Sequence, residues 1–140
     1  MPEKFYVTVK GLVVQDGKAL ILEGKDPQGR LTWDLPGGRI DNGEDVEQAL
    51  AREVLEELPG SSNLVIERYL HSYRYPIPYE DGTHGFCVIY EIDLNLPRVT
   101  VSPEHTGYRW ISKEEVPTNE EFAGRRLPQD RKTAILAALQ

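Results

Sequence analysis

Cysteine is almost missing from this chain, and long apolar runs are missing altogether. The single cysteine, Cys87, excludes an internal disulfide framework and provides no cysteine-based zinc site. No apolar run approaches the length of a membrane span, and the opening sequence MPEKFYVTVK lacks the layout of a signal peptide. These absences predict a cytoplasmic protein without a membrane association.

Positive charge is also scarce. The formal net charge of −7 makes nucleic acid an improbable partner and means that a polyanionic substrate needs cations to approach an acidic surface. The hydrophobic share of 39% and the charged share of 28% are ordinary for a globular protein, and 140 residues are enough for one core. We therefore expect one domain over residues 1–140.

The pattern of apolar residues predicts more strands than helices. Alternation and turn signals such as Asp16-Gly17 predict strands at residues 5–10, 18–22, 33–35, 64–75, 86–94 and 108–111. Helices are expected at about residues 45–58 and after Pro128, with a helical turn at residues 113–116, whereas Pro36-Gly37-Gly38 should break regular structure. This order predicts an α+β fold with a mixed sheet flanked by helices.

The first predicted helix ends in three acids, Glu53, Glu56 and Glu57. Acids are unfavourable at a helix C-terminus, which carries partial negative charge, and like charges three or four residues apart repel each other. Between residues 44 and 57 there are six acids and one base, Arg52. A bound divalent cation would remove both penalties, and hard cations such as Mg²⁺ prefer several oxygen ligands.

A helical wheel places the three glutamates within an arc of about 100°. Glu57 points between Val46 and Leu50 and should therefore be buried, while Arg52 adjoins Glu56 and can orient a carboxylate. Gly37-Gly38 can bring a backbone carbonyl close to these acids. The alternative is a surface helix end whose acids pair with distant lysines, and helix geometry alone leaves both interpretations open.

The spacing of these residues resembles the signature of the Nudix hydrolase family. The signature is matched by Gly38, Glu44, Arg52, Glu53, Val54, Glu56 and Glu57, and the preceding Trp33-Asp34-Leu35-Pro36-Gly37 is similar to the usual lead-in of that family. Leu58-Pro59-Gly60 departs from the pattern, because the glycine comes one position late and the following aliphatic residue is missing. The resemblance implies a Nudix-type α/β/α sandwich.

The resemblance also implies a reaction, namely metal-dependent hydrolysis of a pyrophosphate bond in a nucleoside diphosphate linked to another group. Gly38, Glu53, Glu56 and Glu57 match positions that hold Mg²⁺ in the family, with Mn²⁺ able to substitute. Arg52 would fix one of the glutamates, and Glu44 would support the junction of loop and helix. The general base would be a box glutamate such as Glu53 or an acid on a later loop, for which Glu104 is the candidate; the alternative for Glu104 is an exposed loop acid.

The substrate is less well defined by the sequence. Arg74, Tyr75 and Tyr79 could stack on a base or bind a phosphate, or could simply pack the strand. In the family, a proline at the position of Pro76 is associated with ADP-ribose hydrolysis. A nucleotide-pool (d)NTP pyrophosphatase and a non-catalytic nucleotide-binding regulatory domain are the alternatives, and the sequence leaves a homodimer open.

Two further groups of residues have a structural interpretation. His71, His84 and His105 lack metal-ligand spacing and are predicted to be surface or hydrogen-bonding residues. The basic residues near the C-terminus are predicted to form a solvated helix start; they are Arg125, Arg126, Arg131 and Lys132.

Overall fold

A computed structural model describes residues 2–140 of the chain. Its strands are β1 Phe5–Gln15, β2 Lys18–Lys25, β3 Leu31–Asp34, β4 Gly37–Arg39, β5 Ser62–Arg74, β6 His84–Asn95, β7 Gly107–Ser112, β8 Glu121–Phe122 and β9 Arg125–Arg126. The helices are α1 Val46–Glu57 and α2 Gln129–Ala138, and a 3₁₀ turn occupies Lys113–Glu115. Within residues 2–140, no helix is long and apolar enough to cross a membrane.

Strand β1 is a central strand of a mixed sheet and pairs with three other strands. It pairs antiparallel with β2 and with β4, and parallel with β6. The main path of the sheet runs β5-β6-β1-β2-β3-β9-β8, while β4 pairs with β1 and β7 pairs with β2. The β1–β2 turn is the predicted Asp16-Gly17 hairpin, and both of its central residues have positive φ angles, 53° and 74°.

The two helices cover opposite sides of the strands and create two apolar cores. Neighbouring residues of β2 alternate between them: Ile21 packs into the core that contains Ile135 of α2, whereas Leu20 packs into the core that contains Leu50 and Val54 of α1. This arrangement is an α/β/α sandwich with a mixed sheet, and it confirms the predicted fold class.

Helix α1 begins and ends close to the predicted boundaries. Asp45 is its N-cap and forms a capping box with Gln48. At the other end Leu58 is fully buried, Gly60 adopts a φ of +89°, and the Ser61 amide donates to the Leu58 carbonyl at 3.1 Å. The departure from the signature is thus accommodated by a glycine turn that leaves α1 intact.

The predicted break at Pro36-Gly37-Gly38 is confirmed only for Pro36, which lies between β3 and β4; the two glycines lie inside a strand. Gly37 and Gly38 belong to β4 and lie opposite Lys10 and Val9 of β1. Gly37 has a φ of +147°, and a Cβ there would lie 2.0 Å from the Val9 carbonyl oxygen. The strand forms because glycine alone permits this close approach of the two backbones.

The predicted solvated start of α2 is also wrong for two of its four basic residues. Arg131 and Lys132 are buried. Arg131 Nε donates to Asp34 Oδ1 at 2.6 Å, and Lys132 Nζ donates to the Asn119 carbonyl at 2.8 Å. Burial of each charge is possible because it has a polar partner inside the fold.

Candidate active site

The three acids at the end of α1 have different environments. Glu57 is buried, Glu53 is partly buried, and Glu56 is exposed. The helical wheel was therefore right to turn Glu57 toward the interior. A buried carboxylate needs partners that compensate for the loss of water.

Glu57 has such a partner on each carboxylate oxygen. The Gly37 amide donates to Oε2 at 2.7 Å, and His105 Nε2 lies 2.7 Å from Oε1. The side chains of Glu57 and His105 are only 7% and 11% exposed. Strand β4 thus holds the carboxylate from one side and the loop before β7 holds it from the other.

Glu53 is fixed by a different pair of neighbours. A Cβ on Gly38 would come within 2.5 Å of the Glu53 carboxyl carbon, so the glycine leaves the space that this carboxylate occupies. Arg52 Nη1 donates to Glu53 Oε1 at 2.8 Å. The wheel had placed Arg52 beside Glu56, but the guanidinium reaches Glu53 and the loop before the helix instead.

Arg52 also binds the loop that enters α1. Its Nε and Nη2 donate to the two carboxylate oxygens of Glu44 at 2.7 and 2.9 Å, and Nη2 donates to the Arg39 carbonyl at 3.2 Å. The hydrogen bonds from Arg52 and from the Asp41 amide lower the pKa of Glu44 to about 2. Glu44 therefore stays ionised and joins the loop to the helix.

The loop between β6 and β7 brings Glu104 to this group. The Ser102 amide donates to the Glu57 carbonyl at 3.1 Å, and the His105 amide donates back to the Ser102 carbonyl at 3.0 Å. As a result, potential ligand atoms of Glu57, Glu104 and His105 all lie within 4.8 Å of one another. The sequence proposed Glu104 but assigned His105 only a hydrogen-bonding role, since nothing in its spacing predicted contact with Glu57.

This donor set fits a hard divalent cation. The carboxylates of α1 and Glu104 supply several oxygen atoms, which Mg²⁺ and Mn²⁺ favour. Gly38 also lacks a side chain that would displace the Glu53 carboxylate. The predicted metal-binding residues remain a prediction; they are Gly38, Glu53, Glu56 and Glu57.

A cavity of about 650 Å³ lies between β3, the β5–β6 loop and the start of α2. Tyr75 and Tyr79 are among its lining residues, with Tyr73 and Asp34. The predicted substrate residue Arg74 is not among them; its Nη1 donates to Glu3 at 2.6 Å, and its guanidinium lies over the ring of Phe5. Its side chain sits on the other face of β5, as the strand alternation requires.

The floor of the cavity is a charged network. Asp34 accepts hydrogen bonds from Arg131 and, at 3.2 Å, from Lys10, and Arg131 also donates to the Tyr73 hydroxyl. Burial would raise the pKa of Asp34, but Arg131 and Lys10 outweigh that effect and hold the pKa well below its usual range. The negative charge of Asp34 is therefore fixed beside two buried cations.

Lys10 connects this cavity to the acidic group. Its side chain pairs with Asp34, and its backbone lies opposite Gly37, whose amide binds Glu57. Lys10 thus joins a lining residue of the cavity to the strand that holds Glu57. No residue of β1, β4 or α1 lines the cavity itself.

The model of the NUDIX domain matches residues 5–130. The match includes helix α1 with its glutamates and most of the sandwich around it. The chain belongs to the Nudix family.

The chain is similar to several named proteins of that class. It is 31% identical over 119 residues to an RNA pyrophosphohydrolase of Actinobacillus succinogenes, covering 73% of this chain and 59% of that protein. It is 29% identical over 114 residues to the nucleoside triphosphatase NudI of Escherichia coli O139:H28, covering 75% of this chain and 80% of that protein. The chain spans about half the length of several other curated relatives that it matches, 53% and 49% in two of them.

A solved structure shows the same fold. The MutT protein from Methanosarcina mazei Go1 superimposes with a TM-score of 0.75 at 22% identity, covering 96% of this chain and 93% of that chain. At this identity the likeness concerns the fold.

Proposed function

We propose that this chain is a divalent-metal-dependent pyrophosphohydrolase that cleaves the pyrophosphate bond of a nucleoside polyphosphate. The observation that carries this proposal is the approach of Glu104 to Glu57, which brings a loop acid within 4.8 Å of the last acid of α1. The cavity lined by Asp34 and Tyr75 supports it, because its volume of about 650 Å³ is in the range of small-molecule sites.

Glu53, Glu56 and Glu57, with the backbone carbonyl of Gly38, would hold the cation. Mg²⁺ is the proposed ion because the donors are oxygen atoms, and Mn²⁺ should substitute because it accepts the same ligands. The ion, when bound, would supply positive charge that stabilises the charge developing on the phosphate oxygens.

The side chains of the protein perform the remaining steps. Arg52 keeps the Glu53 carboxylate in place, and the Gly37 amide does so for Glu57. Glu104 is the proposed general base: its carboxylate accepts a proton from the water that attacks phosphorus, while the bridging P–O bond breaks and the leaving phosphate departs. Glu53 is the alternative base, but its Oε1 already accepts a hydrogen bond from Arg52.

The cavity is the proposed site for the nucleoside. Tyr73 and Tyr75 are partly buried and could contact a base with their rings, and Tyr79 is exposed at the rim. The fixed charges of Asp34 and Arg131 on the floor would select the hydrogen-bonding edge of the base. Arg74 is kept by Glu3 and Phe5 outside this cavity, so we do not retain it as a substrate residue.

A nucleoside triphosphate is the favoured substrate. The relatives named as a nucleoside triphosphatase and as an RNA pyrophosphohydrolase both support a substrate with a polyphosphate chain. Net charge favours the small nucleotide over RNA, since a chain with a charge of −7 repels a long polyanion. ADP-ribose or another NDP-sugar is the second candidate, because Pro76 lies in the lining of the cavity.

A substrate panel tests the proposal. The products identify the substrate class: a triphosphate gives inorganic pyrophosphate, which a pyrophosphatase converts to phosphate, while an NDP-sugar gives two phosphomonoesters, which require alkaline phosphatase. The panel contains the common NTPs and dNTPs, ADP-ribose, UDP-glucose, and a 5′-triphosphorylated RNA, each with Mg²⁺ and with EDTA. We expect Mg²⁺-dependent release from a triphosphate.

The panel also separates an enzyme from a binding domain. A folded protein that releases phosphate from none of these substrates would overturn the proposal in favour of a non-catalytic nucleotide-binding domain. The predicted cytoplasmic location, the single domain and the homodimer rest on the sequence alone and stay predictions.

A further inference from the structure

His105 is the residue of the acidic group that the proposed reaction leaves without a role. Its Nε2 lies 2.7 Å from Glu57 Oε1. At this separation one of the two atoms must carry a proton, because two lone pairs would repel each other. Because the Glu57 carboxylate already accepts from the Gly37 amide, we take it as the acceptor here too, with Nε2 as the donor.

The other ring nitrogen indicates the same tautomer. Nδ1 of His105 is buried and has no hydrogen-bond partner within residues 2–140. A proton on Nδ1 would therefore be a buried donor without an acceptor, which is costly. The geometry thus assigns Nε2 as the nitrogen that donates to Glu57.

This hydrogen bond argues against ligation of a metal through Nε2, because a ring nitrogen that carries a proton has no lone pair for a cation. The other nitrogen, Nδ1, is buried beside Gly24, where a Cβ would lie 3.3 Å from it. Glu57 thus accepts a hydrogen bond from the Gly37 amide on one oxygen and from the His105 imidazole on the other.

We propose that His105 is a positioning residue that fixes the Glu57 carboxylate for metal binding. The Nε2–H donor and the Gly37 amide each occupy one lone pair of the carboxylate, so the carboxylate is held in one rotamer with its remaining lone pairs free for the ion. The loop carries the ring to this point through the bond of the Ser102 amide to the Glu57 carbonyl. The inference rests on the proposed function, because it assumes that Glu57 binds the metal.

The test measures metal affinity and needs no turnover. The dissociation constant of Mn²⁺ is obtained by electron paramagnetic resonance of free Mn²⁺ for the wild type and for His105→Ala, His105→Gln, Glu57→Gln and His84→Gln. We expect His105→Ala to raise the constant by about 10- to 100-fold. Gln offers an N–H donor at a similar reach, so His105→Gln should recover most of the affinity. The matched control is His84→Gln, because His84 Nδ1 lies 3.5 Å from a carboxylate oxygen of Glu3. This variant should leave the Mn²⁺ dissociation constant unchanged.

Several outcomes would overturn the role of His105. One is a His105→Ala constant within about twofold of the wild type, which is far below the expected loss. Another is a His105→Gln variant that is folded by circular dichroism and binds no better than His105→Ala. The third is a ¹⁴N coupling in the electron spin echo spectrum of bound Mn²⁺ that disappears in His105→Gln, since it would make His105 a direct ligand.

Failure of the proposed function would look different. A wild type that binds no Mn²⁺, or a Glu57→Gln variant that binds as well as the wild type, would overturn the metal site and this role with it. If the wild type binds Mn²⁺ and Glu57→Gln binds it more weakly, an unchanged constant in His105→Ala contradicts only the role of His105. Should His105→Ala unfold, His105→Gln and the ¹⁴N spectrum decide the question.

Discussion

Gly38, the first residue of the signature, lies against the carboxylate of Glu53, fifteen positions later in the sequence. A methyl group at Gly38 would lie 2.5 Å from the Glu53 carboxyl carbon and 2.7 Å from each of its oxygens. The glycine is therefore required by the position of the carboxylate rather than by a backbone angle. The Glu53 carboxylate occupies the space that a side chain at this position would take.

Substitution of Gly38 by Ala should separate activity from folding. The new methyl group displaces the flexible end of Glu53, so the free energy of unfolding should fall by about 1 kcal/mol at most. Turnover should fall by about 10- to 100-fold because the carboxylate leaves its position. Gly107→Ala is the control, since its Cβ would meet only Glu23 Oε1, at 3.9 Å. Wild-type turnover in Gly38→Ala would contradict the steric argument.

Neutralising Glu57 or Glu56 should abolish Mg²⁺-dependent hydrolysis. Glu57→Gln and Glu56→Gln each remove a charged oxygen ligand and should lower the rate by several orders of magnitude. Glu56 is exposed, so Glu56→Gln should be as stable as the wild type or slightly more so, because repulsion at the helix end decreases. Glu57→Gln should be less stable, because the buried carboxylate accepts on both oxygens and a glutamine amide accepts on only one. Rates are measured with saturating Mg²⁺, and Glu47→Gln, an exposed acid in the first turn of α1, is the control. A near-normal rate in either variant would show that the metal assignment is wrong.

Glu104→Gln tests the general base. Loss of the carboxylate should lower the rate at saturating substrate by about 100- to 10,000-fold and should alter the dependence of the rate on pH. The exposed acid Glu114 provides the comparison, as Glu114→Gln should change neither quantity. If the rate and the pH profile of Glu104→Gln match the wild type, Glu104 is a loop acid without a catalytic role.

Asp34→Asn should destabilise the fold. Arg131 and Lys10 are 7% and 11% exposed and would lose their shared counter-ion. Asp34 itself is 34% exposed, so the cost should be near the lower end for a broken buried pair, about 3 kcal/mol. Urea unfolding measures it, with Glu3→Gln, which disrupts an exposed pair with Arg74, as the control. A loss equal to that of Glu3→Gln would contradict a structural role for the network.

The same network should give acid sensitivity. The folded chain lowers the pKa of Asp34, so an unfolded chain binds a proton at Asp34 first as the pH falls. The stabilisation is complete above about pH 3.9, the ordinary value for Asp, and is lost below it toward the lowered pKa. The difference in unfolding free energy between wild type and Asp34→Asn should therefore shrink steadily as the pH falls below about 3.9. A constant difference would exclude this linkage.

The sequence predicted the fold because its signals were local or already tied to a known spacing. Alternating residues gave the strands, and the capping residue Asp45 and the Gly60 turn bounded α1. The position of Glu57 followed from helix geometry. Each of these inferences needs only residues within one or two turns of each other.

The errors concern partners that are distant in the sequence. Arg131 was expected in solvent because its neighbours are polar, yet Asp34, 97 positions earlier, offers it a buried carboxylate. The contact of His105 with Glu57 spans 48 positions and depends on the path of a loop. Gly37-Gly38 forms a strand only because Val9 and Lys10 approach it. Local patterns carry no information about such pairs.

The parallel pairing of β1 with β6 has a consequence for synthesis of the chain. Phe5 pairs with His84, so 79 residues separate the first strand from its partner. At ~5–20 residues per second, a ribosome needs several seconds to supply β6 after β1 has emerged. During that interval β1 can pair with β2 and β4 but lacks its parallel neighbour β6. The sheet around β1 is therefore completed only after residue 95 has been synthesised.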